Sequence, residues 1–270
     1  MATFQTQPDD YVIDQAWRDY SKEDHAIWRT LYERQSNLLP GRACRDYLNG
    51  LAGLPVAADG IPDFARLNRI LSGTTGWRIV AVPGLVPDDV FFRHLANRRF
   101  PATRWIRRAN QMDYLQEPDV FHDVFGHVPM LMNPIFADYL QDYGIKGLRA
   151  LELNCLPYLA RLYWYTVEFG LIRTSKGLRI YGSGIVSSYR ESIYCLESEM
   201  PERTPFDLER VMRTRYRIDD LQEIYFVIDS FKQLFAATQG DLDDMYSRVE
   251  LQSAIEPGIR LPDEKAVRLA

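Results

Sequence analysis

Long apolar segments are missing from this chain of 270 residues. The longest purely apolar runs, such as IYFVI at 224–228, span about five residues, whereas a membrane-crossing helix needs about 20. The first ten residues, MATFQTQPDD, lack the basic and apolar regions of a signal peptide. These absences argue against a helical membrane protein and favour a protein of the cytoplasm.

Cysteine is also scarce and a net positive charge is missing, which argues against two further classes. Cys44, Cys155 and Cys195 are odd in number and widely spaced, a pattern typical of reduced thiols rather than of a disulfide framework. The formal net charge is -5, whereas a general nucleic-acid binder usually carries a strong basic patch. We therefore expect no disulfide framework and no nucleic acid as a partner.

Helical periodicity is what the sequence has in abundance. Ser21 to Asp24 resembles a capping box at a helix start, and apolar residues follow it at helical spacing. The pattern at 157–169 is apolar nearly all round, which is typical of a buried helix. Helices are also predicted to start at Pro62-Asp63, at Pro87-Asp88, at Asn133-Pro134 with an end at Gly144, and over Asp219 to Gln239.

Strand patterns are few and short, namely RIVAV at 78–82, RWIR at 104–107 and LRIYG at 178–182. No repeat, low-complexity tract or long linker divides the chain. We therefore predict one mainly α domain over residues 1–270, with a core at about 10–240. The ends, at 1–10 and 255–270, are expected to be loosely attached.

Half of the chain's four histidines fall within nine residues, FHDVFGHVP at 121–129. Two imidazoles this close can pack in a core, act as acid and base, or bind a metal. On a regular α-helix, His122 and His127 would point about 140° apart because five residues separate them. Gly126 could end the helix in a left-handed conformation, with Pro129 preventing its continuation. A bulge within the helix would also bring the two side chains together.

A metal site needs a third ligand, and Glu168 in LYWYTVEFGL is the candidate. A carboxylate among aromatic and aliphatic neighbours is costly to bury unless a partner compensates it. The alternative partner is Arg161, seven residues earlier on the same helix face. Two histidines and one carboxylate form the facial triad of non-haem Fe(II) oxygenases, and zinc hydrolases use the same ligand types. Both metal chemistries stay open on these residues alone.

Three segments in order, YLQEPDVFHDVFGHVPML, LYWYTVEFGL and YGSGIVSSYRESIYCL, resemble the pterin-dependent aromatic amino acid hydroxylases. The resemblance covers about residues 10–240. It implies a mainly α catalytic domain that uses Fe(II), tetrahydrobiopterin and O2 to hydroxylate an aromatic ring. It also implies that His122, His127 and Glu168 are the iron ligands, in agreement with the residue types of the facial triad.

The resemblance further implies a binding site for an aromatic amino acid. Arg107 matches the residue that pairs with the substrate carboxylate, which a guanidinium can grip by two parallel hydrogen bonds. Asp119 matches the support of this arginine, and Ser187 a contact of the amino-acid end or of the iron shell. Tyr163 and Trp164 match aromatic residues that line the pocket. Without the resemblance, Ser187 would be an ordinary helix N-cap.

For the pterin, the resemblance implies a loop and one aromatic residue. Gly84, Leu85 and Val86 in VPGLVPDD match a loop whose backbone contacts the pteridine ring, and Phe91 matches the ring that stacks on it. Asp123 stands where the family has a glutamate near the pterin, so its carboxylate is shorter. On its own, PGL would be a turn and Phe91 a core residue.

Phenylalanine is the expected substrate and tyrosine the product. Trp164 stands where tryptophan hydroxylases carry a smaller ring, so a full indole should crowd a bicyclic substrate. Ile218 stands where tyrosine hydroxylases carry an acid, and an apolar wall offers a phenol nothing to bond with. The alternative for Ile218 is plain core packing. For the whole chain, the alternatives are tyrosine or tryptophan hydroxylation and, more remotely, a zinc-dependent hydrolase.

Besides the shorter carboxylate at Asp123, two departures qualify the resemblance. Leu115 stands where animal enzymes carry a threonine that helps fix the substrate, so that hydroxyl contact is missing. No N-terminal regulatory domain and no obvious C-terminal coiled coil are recognisable, from which we expect a monomer without activation by phenylalanine. Asp123 is the only acid between the two histidines, so it alone could replace the general-base glutamate of a zinc hydrolase.

Overall fold

The capping box predicted at Ser21 opens the first helix of the structure, a computed structural model that describes residues 10–113, 115 and 117–267. The Ser21 hydroxyl accepts from the Asp24 N–H at 3.1 Å, and the Asp24 carboxylate accepts from the Ser21 N–H at 2.8 Å. The helix then buries Ile27, Trp28 and Leu31. Residues 1–9 and 268–270, which belong to the expected loose ends, lie outside the described residues.

Helices dominate the described part of the chain, as predicted. None of them is long and apolar enough to cross a membrane. The α-helices are α1 Lys22–Leu38, α2 Arg45–Ala52, α3 Phe64–Thr74, α4 Asp88–Ala96, α5 Pro134–Glu152, α6 Leu156–Tyr163, α7 Ser183–Val186, α8 Tyr189–Glu197, α9 Leu208–Arg213, α10 Phe231–Thr238 and α11 Asp243–Glu250. Two π-helical turns cover His122–His127 and Trp164–Glu168, and 3-10 turns cover Trp17–Asp19, Ala109–Gln111 and Val128–Met132.

The strands are short and form two small sheets. They are β1 Arg78–Val82, β2 Arg99–Thr103, β3 Leu171–Thr174, β4 Gly177–Ile180, β5 Glu202–Pro205 and β6 Ile224–Ile228. β1 and β2 pair in parallel, and the second sheet has the order β4-β3-β6-β5. Within it, β3 and β4 are antiparallel, whereas β6 runs parallel to both β3 and β5. The predicted strands at 78–82 and 178–182 therefore exist, the second with shifted ends.

Two predicted elements are wrong. The segment RWIR at 104–107 is not a strand, because β2 ends at Thr103, where the Asp123 carboxylate takes over the Thr103 N–H at 2.7 Å. The amphipathic helix predicted over 219–239 is a loop, then β6 and then α10. All five residues of β6 are buried, and periodicity alone does not separate a buried strand from a buried helix.

Helix α5 also runs past its predicted end. Gly144 lies inside it because α5 and α4 pack closely there. A Cβ at Gly144 would stand 2.4 Å from the Ala96 backbone nitrogen. Glycine at this position therefore permits a helix contact instead of ending a helix.

The segment with the two histidines is anchored in an aromatic part of the core. The Phe121 and Phe125 rings stack at 4.8 Å, and Trp28 from α1 meets Phe121 edge-on at 5.3 Å. The Tyr47 hydroxyl, from α2, donates to the Phe125 carbonyl at 2.8 Å. Rings of this size bury much apolar surface, so they hold the histidine-bearing turn against α1 and α2.

The C-terminal segment up to residue 267 is fastened to the domain, against the expectation of a loose end. The Ile255 N–H donates to the Arg213 carbonyl at 2.9 Å, and the Val267 N–H to the Arg203 carbonyl at 2.7 Å. The Arg210 guanidinium also reaches Glu264, with Nε 2.5 Å from Oε1. The weak periodicity of this segment reflects irregular backbone, which is held by hydrogen bonds.

Candidate active site

Two π-helical turns carry the candidate metal ligands. In such a turn each N–H bonds to the carbonyl five residues earlier, so residues five apart come to lie on one side. His122 and His127 begin and end the first turn, and their Nε2 atoms are 3.1 Å apart. Of the two geometries considered for this spacing, the bulge is therefore the one that forms.

Gly126 has a different role from the predicted left-handed helix end. It lies inside the π-helical turn, beside α7, and a Cβ there would meet the Ser183 carbonyl oxygen at 2.9 Å. The missing side chain lets α7 approach the histidine turn closely. That contact matters because α7 and the residue after it hold the other groups of the site.

Glu168, at the end of the second π-helical turn, joins the two histidines. Its Oε1 is 3.2 Å from His127 Nε2, and its Oε2 is 3.6 Å from His122 Nε2. Nitrogen and oxygen ligands bind a metal such as zinc at roughly 2.0–2.2 Å, so two ligands at right angles stand about 3 Å apart. Three donors with these separations fit one face of a divalent metal ion.

The predicted alternative partner of Glu168 is engaged elsewhere. The Arg161 guanidinium donates to the Met212 carbonyl at 2.7 Å and lies over the Tyr158 ring at 5.3 Å. Glu168 instead accepts from the Ser183 hydroxyl at 3.0 Å, besides facing the histidines. The salt-bridge interpretation of Glu168 is therefore wrong.

Asp123 also comes within 4.8 Å of the two imidazoles, and it forms with them a second group of potential ligands. Its Oδ2, however, already accepts from the Thr103 N–H at 2.7 Å and from the Thr103 hydroxyl at 2.9 Å. Burial raises the pKa of Asp123 to about 7, with the Thr103 hydrogen bonds opposing the rise. Glu168 is the better third ligand because its carboxylate faces both imidazoles.

The protonation states of His122 and Glu168 suit metal binding. Burial lowers the pKa of His122 to about 4, although the Glu168 charge opposes the shift. Burial alone would raise the pKa of Glu168, but attraction to His127 and His122 and hydrogen bonds from His127 and Ser183 lower it to about 2. A neutral imidazole and an ionised carboxylate are the forms that bind a metal.

Ser187 sets the orientation of the His122 ring. Its hydroxyl donates to the Ser183 carbonyl at 2.7 Å and lies 3.0 Å from His122 Nδ1. Because the hydroxyl proton is used on Ser183, the serine oxygen accepts from Nδ1–H, which leaves the His122 Nε2 lone pair free to bind. Ser187 directly follows α7, whereas the N-cap of α8 is Ser188, so the helix-cap interpretation of Ser187 is off by one residue.

Arg107 and Asp119 form a buried pair joined by two parallel hydrogen bonds. Arg107 Nε is 2.8 Å from Asp119 Oδ2, and Nη2 is 2.9 Å from Oδ1. Burial favours a higher pKa for Asp119, but hydrogen bonds and charge from Arg107 outweigh it and lower the pKa. Arg107 Nη1 turns to the Met112 carbonyl at 3.3 Å. The guanidinium is thus held rigidly at the cavity wall, as expected for a residue that orients a ligand.

A cavity of about 460 Å³, a size typical of small-molecule sites, lies beside the histidine turn and Arg107. His122 and Glu168 lie in its wall together with the candidate substrate residues Arg107, Tyr163, Trp164, Ser187 and Ile218. Ile218 is 65% exposed, so it is a wall residue and the core-packing interpretation is wrong. Asp119 lies behind Arg107 instead of in the lining.

The candidate pterin residues lie to one side of this cavity. Phe91 meets the Tyr163 ring edge-on at 5.8 Å, and the Tyr163 ring in turn stacks on His127 at 6.3 Å. Gly84, Leu85 and Val86 follow β1 in an open loop, with Leu85 69% exposed. Phe91 is thus connected to the candidate metal ligand His127 through one ring, whereas neither Phe91 nor the loop belongs to the described cavity lining.

Sequence reasoning missed Gln222 and Glu191, which also line the cavity. Gln222 Oε1 accepts from the Trp164 indole N–H at 2.8 Å, and Glu191 Oε1 accepts from the Gln222 N–H at 3.1 Å. The only available signal was their position, four residues after Ile218 in one case and four after Ser187 in the other.

The chain belongs to the biopterin-dependent aromatic amino acid hydroxylases, whose family model matches residues 13–248. It is 61% identical to the phenylalanine-4-hydroxylase of Chromobacterium violaceum over 255 residues, which cover 94% of this chain and 86% of that protein. It is 63% identical to the phenylalanine-4-hydroxylase of Ralstonia nicotianae over 242 residues, or 90% and 77% of the two chains. An iron- and phenylalanine-bound crystal structure of the C. violaceum enzyme matches with a TM-score of 0.92 at 58% identity, covering 96% of this chain and 95% of that one.

Proposed function

We propose that this protein is a phenylalanine 4-hydroxylase, a monooxygenase that converts L-phenylalanine and O2 to L-tyrosine with tetrahydrobiopterin and non-haem Fe(II). One oxygen atom of O2 enters the ring, and the other leaves as water with two electrons from the pterin. The observation that carries the proposal is the meeting of His122, His127 and Glu168 beside the cavity that His122, Glu168 and Arg107 line. Identity of about 60% to two bacterial phenylalanine-4-hydroxylases supports the same reaction.

His122, His127 and Glu168 would hold the iron. Two imidazoles and a carboxylate on one face leave about three positions of an octahedral ferrous ion for water and O2. When bound there, iron supplies the site of O2 activation. The chain's own contribution is to fix the ligands, through Ser187 at His122 and Ser183 at Glu168.

The substrate would lie with its carboxylate on Arg107 and its ring towards the metal ligands. The buried carboxylate of Asp119 fixes the orientation of the guanidinium at the cavity wall. A ligand carboxylate can then use the remaining N–H donors in a charge-assisted contact. Closing the amino acid between Arg107 and the aromatic wall of Tyr163 and Trp164 would exclude water and hold the ring carbon in place.

Choice among aromatic amino acids would lie with Trp164 and Ile218. The Trp164 indole stacks on Tyr216 at 4.4 Å and leans on Phe169 at 4.7 Å, so it is a firm wall rather than a movable one. The exposed Ile218 side chain offers no hydrogen bond to a phenol. We therefore propose phenylalanine over tyrosine and tryptophan.

Tetrahydrobiopterin would bind beside Phe91, at the loop of Gly84, Leu85 and Val86. The contact of Phe91 with Tyr163, which stacks on His127, supports this place because it brings the flat ring near the metal ligands. Asp123, which accepts two hydrogen bonds from Thr103, would contribute a carboxyl near the pterin. Leu85 is exposed and Gly84 and Val86 are partly exposed, so the loop is accessible to a heterocycle.

We further propose that residues 1–270 form a single catalytic domain that acts as a monomer in the cytoplasm. One continuous hydrophobic cluster runs from Ile27 to Val267 among the described residues, which supports a single unit. The cysteines Cys44, Cys155 and Cys195 are free, as is usual in a reducing compartment.

A zinc-hydrolase reaction at the same ligands has no support. It would need a general base next to the metal, and Asp123 is the only acid between the histidines. Asp123 is buried and its Oδ2 accepts two hydrogen bonds from Thr103, which disfavours it as that base. Membership of the hydroxylase family agrees with this conclusion.

The direct test is reconstitution of the protein with Fe(II) under anaerobic conditions, followed by O2, tetrahydrobiopterin and phenylalanine. We expect tyrosine in proportion to the pterin oxidised, and no tyrosine when Zn(II) replaces Fe(II). Tyrosine from the zinc protein, or none from the iron protein, would contradict the proposal.

A further inference from the structure

The loop between α9 and β6 is organised around the side-chain amide of Gln222. Its Nε2 donates to the carbonyl of Arg217 at 3.0 Å and to that of Asp220 at 3.3 Å, so it closes the loop that presents Ile218 to the cavity. Its Oε1 accepts from the Trp164 indole N–H at 2.8 Å. Gln222 itself is 3% exposed. One buried amide thus connects the loop with the aromatic wall.

The amide can take only one orientation. An indole N–H is a donor and a carbonyl is an acceptor, so a flipped Gln222 would place its NH2 against the Trp164 N–H and its oxygen against two carbonyls. Leaving these buried groups unpaired is expensive. The orientation of the amide therefore follows from the whole network and not from a single contact.

Glu191 fixes the backbone of Gln222 from the other side. Its Oε1 accepts from the Gln222 N–H at 3.1 Å and from the Tyr225 hydroxyl, which belongs to β6, at 2.5 Å. Glu191 lies on α8 and is 5% exposed. Gln222 is therefore held to two regular elements, so it can transmit a fixed position to the loop and to the indole.

We infer that Gln222 is a positioning residue for substrate selection, which sets the angle of the Trp164 ring and the place of Ile218 in the cavity wall. The inference rests on the proposed function, because it concerns the pocket for the aromatic ring. The ring contacts with Tyr216 and Phe169 hold the plane of the Trp164 indole, but they do not fix the direction in which its N–H points. The hydrogen bond to Gln222 removes that freedom.

Arg107 and Gln222 would then act on different parts of the substrate. Arg107 would hold the end that all amino acids share, whereas Gln222 would hold the wall that distinguishes their rings. Loss of Gln222 should therefore affect discrimination among phenylalanine, tyrosine and tryptophan more than the grip on the carboxylate. Iron content should not change, because Gln222 makes no contact with His122, His127 or Glu168 among its described hydrogen bonds.

Gln222→Met, which keeps the length of the side chain and removes both hydrogen-bonding ends, is the variant to test. We expect the preference for phenylalanine over tryptophan, measured as the ratio of kcat/KM values, to fall about tenfold, on the order of one or two lost hydrogen bonds. Gln141→Met is the matched control. The Gln141 amide is also bonded at both ends, to Arg98 and Ala96, but lies outside the cavity lining.

Combining Gln222→Met with Trp164→Phe distinguishes the loss of the Gln222–Trp164 hydrogen bond from a general loosening of the pocket. Trp164→Phe removes the same N–H···O bond from the other side, so the double variant should lose little more discrimination than the more affected single variant. If Gln222→Met does not fold, Gln222→Glu takes its place, since it keeps an oxygen for the indole and loses both donors. It should lower discrimination in the same direction.

Anaerobic dissociation constants of the three amino acids, measured on the Fe(II)-loaded proteins, complete the experiment. We expect their ratios to shift with Gln222→Met and to stay at the wild-type values with Gln141→Met. Unchanged ratios, or full additivity with Trp164→Phe, would overturn the role of Gln222. A wild-type protein that binds phenylalanine but forms no tyrosine would instead contradict the proposed function, while the binding ratios would still decide on Gln222.

Discussion

Asp119 holds Arg107 through both of its carboxylate oxygens, with Nε 2.8 Å from Oδ2 and Nη2 2.9 Å from Oδ1. The same Oδ1 accepts from the backbone N–H of His122 at 3.0 Å. One buried carboxylate therefore connects the proposed substrate clamp with a proposed metal ligand. The distance between the two sites is set by this link, so changes at Arg107 test both binding and stability.

Arg107→Ala should weaken phenylalanine binding by roughly 1.5–3 kcal/mol, or about tenfold to a few hundredfold, because a charge-assisted contact to the substrate carboxylate is lost. It should also lower the free energy of unfolding by about 3–5 kcal/mol, since Asp119 would be left buried without its partner. Arg107→Lys should recover only part of the binding, because an ammonium does not reproduce the two-pronged contact. Michaelis constants and denaturant unfolding measure the two effects.

The double variant Arg107→Met with Asp119→Leu provides the control. It removes the charged pair together, so it should regain stability relative to Arg107→Ala without regaining substrate binding. A phenylalanine Michaelis constant that stays at the wild-type value in Arg107→Ala would show that Arg107 does not bind the substrate.

Replacing His122, His127 or Glu168 by alanine should remove bound iron and hydroxylation while most of the fold remains. The donor atoms of these three residues lie 3.1–3.6 Å apart, and Asp123 Oδ2 already accepts two hydrogen bonds from Thr103, so we do not expect Asp123 to replace a lost ligand. Iron content of the purified variants, beside circular dichroism, is the measurement. His25→Ala is the control with one histidine fewer and should keep its iron. Full iron content in Glu168→Ala would exclude Glu168 as a ligand.

Ser187→Ala should lower iron affinity or activity by about 10–100-fold, because the His122 ring loses the hydroxyl that fixes its Nδ1–H tautomer. Ser188→Ala is the matched control. Ser188 caps α8 by accepting from the Glu191 N–H, so its loss should reduce stability by about 1 kcal/mol and leave iron affinity unchanged. Equal iron affinities in Ser187→Ala and the wild type would show that Ser187 does not orient the ligand.

Ile218→Asp should reduce the preference for phenylalanine over tyrosine, since a polar wall gives the phenol a hydrogen-bond partner. Trp164→Phe should admit more tryptophan because the wall becomes smaller. Catalytic efficiencies for the three amino acids measure both effects. Ile145→Asp, at an exposed isoleucine on α5, is the control. Equal wild-type efficiencies for phenylalanine and tyrosine would refute the assignment of the pocket wall.

The buried position of Glu191 predicts that the free energy of unfolding depends on pH. Burial raises the pKa of Glu191 above its ordinary value of 4.5, although hydrogen bonds from Tyr225 and Gln222 oppose the rise. A carboxyl whose pKa is higher in the folded than in the unfolded chain binds its proton more tightly when the chain is folded. The free energy of unfolding therefore falls as the pH rises above 4.5, and it levels off above the folded-state pKa.

Glu191→Gln removes this titration and keeps an oxygen that can accept from Gln222 and Tyr225. The free energy of unfolding of the variant should therefore gain on that of the wild type as the pH rises from 4.5 through the raised pKa of Glu191. Urea unfolding of both iron-loaded proteins across this range is the measurement, with Glu197→Gln as an exposed control. A constant difference at all pH values would contradict the interpretation of Glu191.

That His122, His127 and Glu168 come together could be expected from the sequence, because their residue types and order suggest a metal site. His122 and His127 lie five residues apart, and on a regular α-helix such side chains point in different directions. The two histidines can therefore meet only where the helix is irregular. The choice between a bulge and a left-handed end depends on the approach of α7 to Gly126, which is a tertiary contact. Local periodicity does not contain such information.

The segment after α9, in contrast, was predicted with the wrong secondary structure. Residues 219–239 have helical spacing, but the buried run IYFVI pairs with β3 and β5 as the central strand β6. Burial on both faces hides the alternation that marks a strand. Because the segment was expected to be helical, Gln222 could not be placed beside Trp164 before the fold was known.

The central claim, that this protein inserts one atom of O2 into phenylalanine at the iron site, is tested most directly by isotope labelling. The Fe(II)-loaded protein would be given phenylalanine and tetrahydrobiopterin under ¹⁸O2, and the tyrosine formed would be analysed by mass spectrometry. The account predicts tyrosine that carries one ¹⁸O atom, and none from protein with Glu168→Ala. Tyrosine with oxygen derived from water, or no tyrosine at all, would contradict it.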